Sequence, residues 1–195
     1  MKWIDFERQI KNKGIKLFTP LDVQRFLGRS KVAVTFLIHR MKKQGYIQSV
    51  KRGLYKLSDE SVPDLYLANK LYEPSYISLE FALSYHRVIP ETVYEITSIT
   101  PKTTRRFETL GKIYSYRKIK KTAFTGYIIE KQRGFGFQIA DPEKAFVDTN
   151  YFRILDGLKP ISRFNKDKVN SVKAFRYAAL FGNQKLASII KTTLQ

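Results

Sequence analysis

The most constraining stretch of this 195-residue sequence is residues 19–57, which reads as two helices followed by a short β-hairpin. Thr19, Pro20 and Asp22 have the form of a helix start. Threonine caps a helix, proline suits the first helical position, and an acidic group is favourable in the first turn. Gly28 can end this helix in a left-handed conformation. These residues therefore predict a short helix between Thr19 and Gly28.

A second helix is predicted directly after the first, with Ser30 as its N-cap. Its apolar residues are expected to form a stripe that faces the core. They are Ala33, Leu37 and Met41, with Val32 and Phe36 beside them. Alternating residues then predict paired strands around a basic turn, Lys51-Arg52-Gly53. An opening helix is indicated by Trp3, Phe6 and Ile10. This order of elements is typical of a winged helix-turn-helix, which places one helix in a DNA major groove.

The composition agrees with a nucleic-acid partner. Lysine and arginine number 36 against 17 acidic residues, and the formal net charge is +19. This imbalance favours polyanions, with an affinity that falls as the salt concentration rises. The sequence has no cysteine, which excludes disulfides and thiolate metal sites.

No apolar run approaches the roughly 20 residues that a helix needs to cross a bilayer. The N-terminal residues also lack the apolar region of a signal peptide. We therefore expect a soluble, cytoplasmic protein without a membrane partner.

A polar run that ends at Pro63 predicts a domain boundary. We expect a winged helix-turn-helix domain over residues 1–60 and a mixed α+β domain with a helical tail over residues 61–195. In the second region, apolar spacing predicts helices over 64–72 and 78–85 and a helical tail from Val169. A cap followed by proline predicts a further helix from Asp141. Alternating residues predict strands over 92–100 and 113–116 and a hairpin over 127–139. The fold class predicted for the whole chain is α+β.

The candidate DNA-binding residues lie on the second helix and at the hairpin tip. They are Arg29, Ser30, Lys31, Thr35, Lys42, Lys51 and Arg52. A helix-turn-helix presents the N-terminal residues of its second helix to the base edges. Arg29 could bind guanine in a bidentate manner, and the hairpin tip could reach a phosphate or the minor groove. The alternative is a solvated face that binds a protein, since winged helices do both.

A second group of basic residues, with aromatic residues interleaved, follows in the C-terminal region. It comprises Lys102, Arg105, Arg106, Arg117 and Lys118. The group could extend a phosphate-binding surface or contact RNA. It could equally be a strand whose aromatic side chains face inward and whose polar side chains face solvent. The sequence leaves both interpretations open.

The sequence gives little indication of catalysis. Its two histidines, His39 and His86, lie apart in the chain. The run Asp141-Pro142-Glu143-Lys144 invites comparison with metal-dependent nucleases, but the order differs and a helix start explains the two acidic residues. There is no glycine-rich phosphate loop. We therefore expect no enzymatic activity, no cofactor and no metal.

Three segments resemble a known family. Lys51–Leu57, Tyr76–His86 and Ile139–Asp148 follow one another in the order found in AbiEi antitoxins, which belong to abortive-infection type IV toxin–antitoxin systems. The similarity extends over about residues 5–150, and the last two segments are more specific than the hairpin. The helical tail fits the family only loosely.

The resemblance implies a function that composition and spacing do not. Members of this family bind inverted repeats in their own promoter through the winged helix and repress the operon. Their C-terminal domain counteracts a nucleotidyltransferase toxin without a stable complex. The family's recurrent C-terminal positions match Ser78, Glu80, His86, Glu143, Lys144 and Asp148; helix starts would explain at least Ser78 and Glu143.

Two other functions remain open on the sequence. One is a stand-alone transcription regulator whose C-terminal domain senses a ligand or mediates dimerisation. The other is a metal-dependent nuclease that uses Asp141, Glu143 and Lys144.

Overall fold

The structure, a computed structural model, describes residues 3–194. Its fold is mixed α+β, as the sequence predicts. The chain divides into two compact units, Met1–Pro63 and Asp64–Gln195. Within residues 3–194, no helix has both the length and the apolar character needed to cross a membrane.

From residue 3 onward, the N-terminal unit contains three helices and one hairpin. They are α1 (Trp3–Asn12), α2 (Pro20–Leu27), α3 (Lys31–Lys43), β1 (Ile47–Lys51) and β2 (Leu54–Leu57). The predicted start of α2 is confirmed, because the Asp22 amide donates to Thr19 Oγ1 at 3.3 Å and the Thr19 amide donates to Asp22 Oδ2 at 2.7 Å. Gly28 ends α2 with a φ of 62°, as predicted. The two strands pair antiparallel, and Gly53 in the turn has a φ of 77°.

Aromatic rings form the centre of the N-terminal core. The Phe6 ring lies 5.2 Å from that of Phe18 and 5.4 Å from that of Phe26. The buried residues around them come from all five elements. They are Ile10, Val23, Leu27, Val34, Leu37, Ile38, Met41, Ile47 and Leu57. α3 is thereby fixed with one face on the core and the opposite face in solvent.

The predicted core-facing stripe of α3 is confirmed at Leu37 and Met41 and is wrong at Val32 and Phe36. Val32 and Phe36 are 65% and 72% exposed, and Ala33 is half-buried. The residues that face the core are Val34, Leu37, Ile38 and Met41. Their spacing of i, i+3, i+4 and i+7 defines one helical face. Because successive residues are rotated by about 100°, Val32 and Phe36 fall on the other side of the helix.

The C-terminal unit combines six strands with five α-helices among the residues described. They are α4 (Asp64–Leu71), β3 (Tyr76–Ile77), α5 (Leu79–Tyr85), β4 (Ile96–Thr100), β5 (Arg105–Thr109), β6 (Lys112–Lys118), β7 (Tyr127–Gln132), β8 (Phe135–Ala140), α6 (Pro142–Leu155), α7 (Ser171–Ala179) and α8 (Gln184–Leu194). The sheet order is β5-β6-β4-β3-β8-β7. The pairs β3–β8 and β4–β6 are parallel, and the other pairs are antiparallel.

Two strand predictions are corrected by the structure. The strand predicted over 92–100 begins only at Ile96, and Tyr94 before it is 86% exposed. Strand β5 was not predicted, because its sequence RRFET has little apolar alternation. Charged side chains of this kind are common on edge strands, where they discourage pairing with other chains. The hairpin over 127–139 and the helical tail are confirmed.

Helix α6 is the central helix of the C-terminal unit. Every residue from Glu143 to Asn150 is buried, including polar ones. α5 and α7 both contact it, and α8 contacts α6 and α7. Residues near its N-terminus therefore lie in the interior of the unit.

Candidate nucleic-acid interface

The positive charge of the N-terminal unit is concentrated in one segment. No acidic residue lies between Asp22 and Asp59. The same segment carries nine basic residues: Arg25, Arg29, Lys31, Arg40, Lys42, Lys43, Lys51, Arg52 and Lys56. It includes all of α3 and the β1–β2 hairpin. These two elements therefore carry no acidic side chain of their own, which favours a positive local field.

Most of these basic side chains are at the surface. Five of those on α3 and in the hairpin turn are exposed and, within residues 3–194, form no ion pair with a carboxylate: Lys31, Arg40, Lys42, Lys43 and Arg52. Lys56 differs, because its Nζ is buried and donates to the carbonyls of Leu57 and Glu60 at 3.0 and 2.8 Å. Burial lowers the pKa of Lys56. We therefore assign Lys56 to the structure of the unit and the five exposed side chains to its outer surface.

Some basic residues elsewhere have carboxylate partners. Lys11 Nζ lies 2.8 Å from Glu7 Oε1 and 2.6 Å from Asp59 Oδ2. In the C-terminal unit, Arg117 makes a bidentate pair with Asp156, at 2.5 and 2.8 Å. Such pairs cancel much of the local charge. The five exposed basic side chains of α3 and the hairpin turn have no such pair among residues 3–194.

The predicted DNA-binding residues occupy several positions around α3. Lys31, Thr35 and Lys42 share one flank, because they are separated by four and seven residues. Thr35 Oγ1 donates to the Lys31 carbonyl at 2.9 Å, and Ser30 Oγ accepts from the Ala33 amide at 3.3 Å. The hydroxyl of Ser30 therefore caps the helix, as predicted.

The other flank of α3 forms an open depression of about 520 Å³. Its lining includes Arg29, Phe36, His39, Arg40 and Lys43. In the hairpin, Arg52 is exposed in the turn and Lys51 is half-buried. The predicted residues thus lie on two flanks of α3 and at the hairpin tip, all of them at least partly accessible.

The sequence prediction did not include Val32 and Phe36 among the candidate interface residues. Val32 and Phe36 are separated by four residues and lie on the solvent side of α3, with Arg40 nearby on the same helix. The sequence does contain a signal that separates these two residues from the core. Val34, Leu37, Ile38 and Met41 form a better core stripe than Ala33, Leu37 and Met41, because they place four large apolar residues on one face. That stripe leaves Val32 and Phe36 on the solvent side.

The second basic group does not form one surface. In strand β5, Arg105 pairs with Tyr116 and Arg106 with Ser115 of β6, so these two arginines lie on opposite faces of the sheet. Arg117 lies on the Arg106 face and is paired with Asp156. Lys102 Nζ donates to the Glu73 carbonyl, and Lys118 is exposed. The group is divided between two faces, and part of its charge is neutralised.

Three of the six C-terminal positions from the family resemblance meet in a buried network. Asp148 accepts hydrogen bonds from Tyr76 Oη at 3.0 Å, from Ser78 Oγ at 2.9 Å and from Lys144 Nζ. The side chains of Lys144 and Asp148 are fully buried. Burial raises the pKa of Asp148, and Lys144 opposes this increase. The expectation that helix capping explains Ser78 is wrong, because its hydroxyl makes no capping bond and donates to Asp148 instead.

The acidic residues at the start of α6 also have structural partners. Asp141 caps the helix by accepting from the Lys144 amide at 2.8 Å. Glu143 lies in the first turn, as predicted, accepts from the Asn170 amide at 3.0 Å and lies 2.9 Å from Lys173 Nζ. Burial raises the pKa of Glu143, but these two contacts lower it more, and the net change is a decrease.

The two remaining positions lie on or beside α5. His86 Nε2 donates to the Ala140 carbonyl at 2.8 Å, and Glu80 is half-buried in the first turn of the helix. Among the residues described, no three histidine, aspartate or glutamate side chains are grouped as a metal site requires. The exposed basic side chains of α3 and the hairpin turn form a separate group at the surface of the N-terminal unit.

Comparison with known proteins gives a similarity of fold. No protein-family model matches this chain, and no curated protein is significantly similar to it. A solved structure, the RV2827C protein from Mycobacterium tuberculosis, is similar with a TM-score of 0.59 and 13% sequence identity. The match covers 96% of this chain and 78% of that protein. At this identity the similarity shows the fold alone, and the AbiEi resemblance stays a prediction.

Proposed function

We propose that the N-terminal unit is a winged helix-turn-helix that binds duplex DNA, with α3 in the major groove and the β1–β2 turn as the wing. The observation that carries this proposal is the segment between Asp22 and Asp59, which has nine basic residues and no acidic one. Exposed cations on α3 and the turn suit a phosphate backbone, because neutralising phosphates releases bound counterions.

The dimensions of α3 support the same function. Its 13 residues span about 20 Å, and the major groove of B-DNA, about 12 Å wide, admits an α-helix. The opposite face of α3 is fixed on the aromatic core, so the outer face is held rigidly. A rigid helix face positions side chains for base contacts at a low cost in conformational entropy.

A finer proposal rests on the AbiEi resemblance. In it, the protein binds inverted repeats in its own promoter and represses transcription, and the C-terminal unit counteracts a nucleotidyltransferase toxin. The basic surface of α3 and the turn supports the DNA-binding part of this proposal. The toxin-directed part is supported by the resemblance of Tyr76–His86 and Ile139–Asp148 to the family.

Removing three charges from the proposed interface tests the DNA-binding proposal. The variant combines Lys31→Ala, Lys42→Ala and Arg52→Ala in the full chain. A matched control combines Lys131→Ala, Lys185→Ala and Lys191→Ala, which are exposed residues of the C-terminal unit. We expect the interface variant to reduce the slope of log affinity against log salt concentration by about three, roughly one for each phosphate contact.

The control should keep the slope of the unaltered protein. An equal change of this slope in both variants would contradict the assignment of the interface to α3 and the turn.

In cells that express a nucleotidyltransferase toxin, the interface variant should lose promoter repression but still permit growth. Continued growth arrest with the unaltered protein would contradict the antitoxin proposal.

A further inference from the structure

The outer face of α3 carries an apolar patch that the fold does not need. Val32 is 65% exposed and Phe36 is 72% exposed, although both are large apolar residues. They are four residues apart and therefore adjacent on the helix surface. The core contacts of α3 are made by other residues, which are Val34, Leu37, Ile38 and Met41. An exposed apolar patch of this kind commonly marks a binding surface.

The patch is surrounded by positive charge. The depression that contains Phe36 is also lined by Arg29, His39, Arg40 and Lys43. Lys31 lies next to Val32 in the chain, and the whole segment lacks acidic residues. A partner that complements this surface must combine negative charge with exposed apolar groups. The major groove of DNA does so wherever thymine is present, because phosphates flank it and the thymine C5-methyl group projects into it.

The position of the patch agrees with base contact. Val32 and Phe36 lie in the first two turns of α3, which is the part of the second helix that a helix-turn-helix places against the bases. The nearby Thr35 hydroxyl donates its hydrogen to the Lys31 carbonyl, so that hydrogen is already used within the helix. The outer side of these turns therefore offers a base apolar contact from Val32 and Phe36 beside the neighbouring basic side chains.

We infer that Val32 and Phe36 read thymine methyl groups in the major groove, so that the protein selects sites with thymine at defined positions. This inference rests on the proposed DNA binding. Burial of one methyl group by an apolar side chain changes affinity about fourfold. Two such contacts would change it about tenfold or more.

Replacement of thymine by deoxyuridine tests the inference, because uracil lacks the methyl group and keeps the same base pairing. The probe is a duplex enriched by the full-length protein from a random-sequence pool, prepared once with thymine and once with deoxyuridine at every thymine position. We expect the unaltered protein to bind the deoxyuridine duplex about tenfold more weakly. A variant with Val32→Ala and Phe36→Ala should bind the thymine duplex more weakly than the unaltered protein does. Its affinities for the thymine and deoxyuridine duplexes should differ by less than about twofold.

Ile4→Ala is a matched control, because Ile4 is a 58% exposed apolar residue on α1. It should keep the tenfold discrimination. Equal binding of both duplexes by the unaltered protein would overturn the inference and leave the proposed DNA binding intact. Failure to bind any duplex at low salt would instead overturn the proposed function and the inference with it. Loss of a dimer on Phe36→Ala, without discrimination between the duplexes, would overturn the inference and assign the patch to a second copy of the chain.

Discussion

Lys144 and Asp148 are two opposite charges that share one fully buried site. Burying a charge is costly unless it is paired and hydrogen-bonded. Asp148 meets this requirement through Lys144 of α6, Tyr76 of β3 and Ser78, the residue before α5. The network therefore ties the first strand of the C-terminal sheet to its central helix. It accounts for Ser78, Lys144 and Asp148 without any contact to a ligand.

Glu143 couples the stability of the C-terminal unit to pH. Its pKa is lower in the folded protein than its ordinary value of 4.5, because Lys173 and the Asn170 amide favour the carboxylate. As the pH falls below about 4.5, the Glu143 carboxylate takes up a proton in the unfolded chain before it does so in the folded chain. Folding therefore becomes less favourable. The carboxylate thus contributes stability above about pH 4.5 that is lost at lower pH.

We expect Glu143→Gln to lower the melting temperature at pH 7 and to flatten the decrease in melting temperature between about pH 5 and pH 3. Circular dichroism at several pH values measures both effects. Glu108→Gln is the matched control, because Glu108 is exposed on the edge strand β5. A pH profile for Glu143→Gln that coincides with that of the unaltered protein would contradict this assignment.

At the scale of elements, the helix starts were the most predictable features. The caps at Thr19, Ser30 and Asp141 depend on contacts within a few residues, so the local sequence is sufficient to identify them. In α3, Leu37 and Met41 were correctly assigned to the core, but Val32 and Phe36 were not, because the solvent face of the helix carries apolar residues as well as its core face. Hydrophobic patterning alone cannot separate an apolar binding patch from a core stripe.

Long-range contacts were beyond the reach of sequence patterns. Ser78 and Asp148 are 70 residues apart in the chain, and only the packing of α6 against α5 and the sheet brings them together. The same limit applies to the second basic group, whose division between two faces follows from the pairing of β5 with β6. The individual residues were identified, but their partners were not.

The cap of α2 gives a prediction at the scale of elements. Thr19→Ala removes one half of the capping box and should lower the free energy of unfolding of the N-terminal unit by about 1 kcal/mol. Trp3 is the single tryptophan of the chain, and its ring lies 5.1 Å from that of Phe6 in the same core. Its fluorescence in a urea titration therefore reports on this unit.

Thr92→Ala, at an exposed position outside the helices and strands, is the control. It should leave the tryptophan transition unchanged. A Thr19→Ala transition at the same urea concentration as that of the unaltered protein would show that the box does not stabilise α2.

At the scale of the whole molecule, the distribution of charge matters more than its total. The C-terminal unit has the larger number of basic residues, 22 against 12 acidic ones, but ion pairs such as Arg117–Asp156 neutralise part of them. The N-terminal unit has 14 basic residues and only five acidic ones, and none of the acidic residues lies on α3 or the hairpin. DNA binding is therefore expected to depend on the N-terminal unit.

Photo-crosslinking from the outer face of α3 tests this central claim most directly. Phe36 is replaced in the full-length protein by p-benzoylphenylalanine, which keeps an aromatic side chain at this exposed position. Irradiation with a bound duplex should join α3 to DNA bases, whereas the same replacement at Ile4 on α1 should give no crosslink. Crosslinks from Ile4 but not from Phe36, under conditions in which the duplex is bound, would contradict the placement of α3 in the groove.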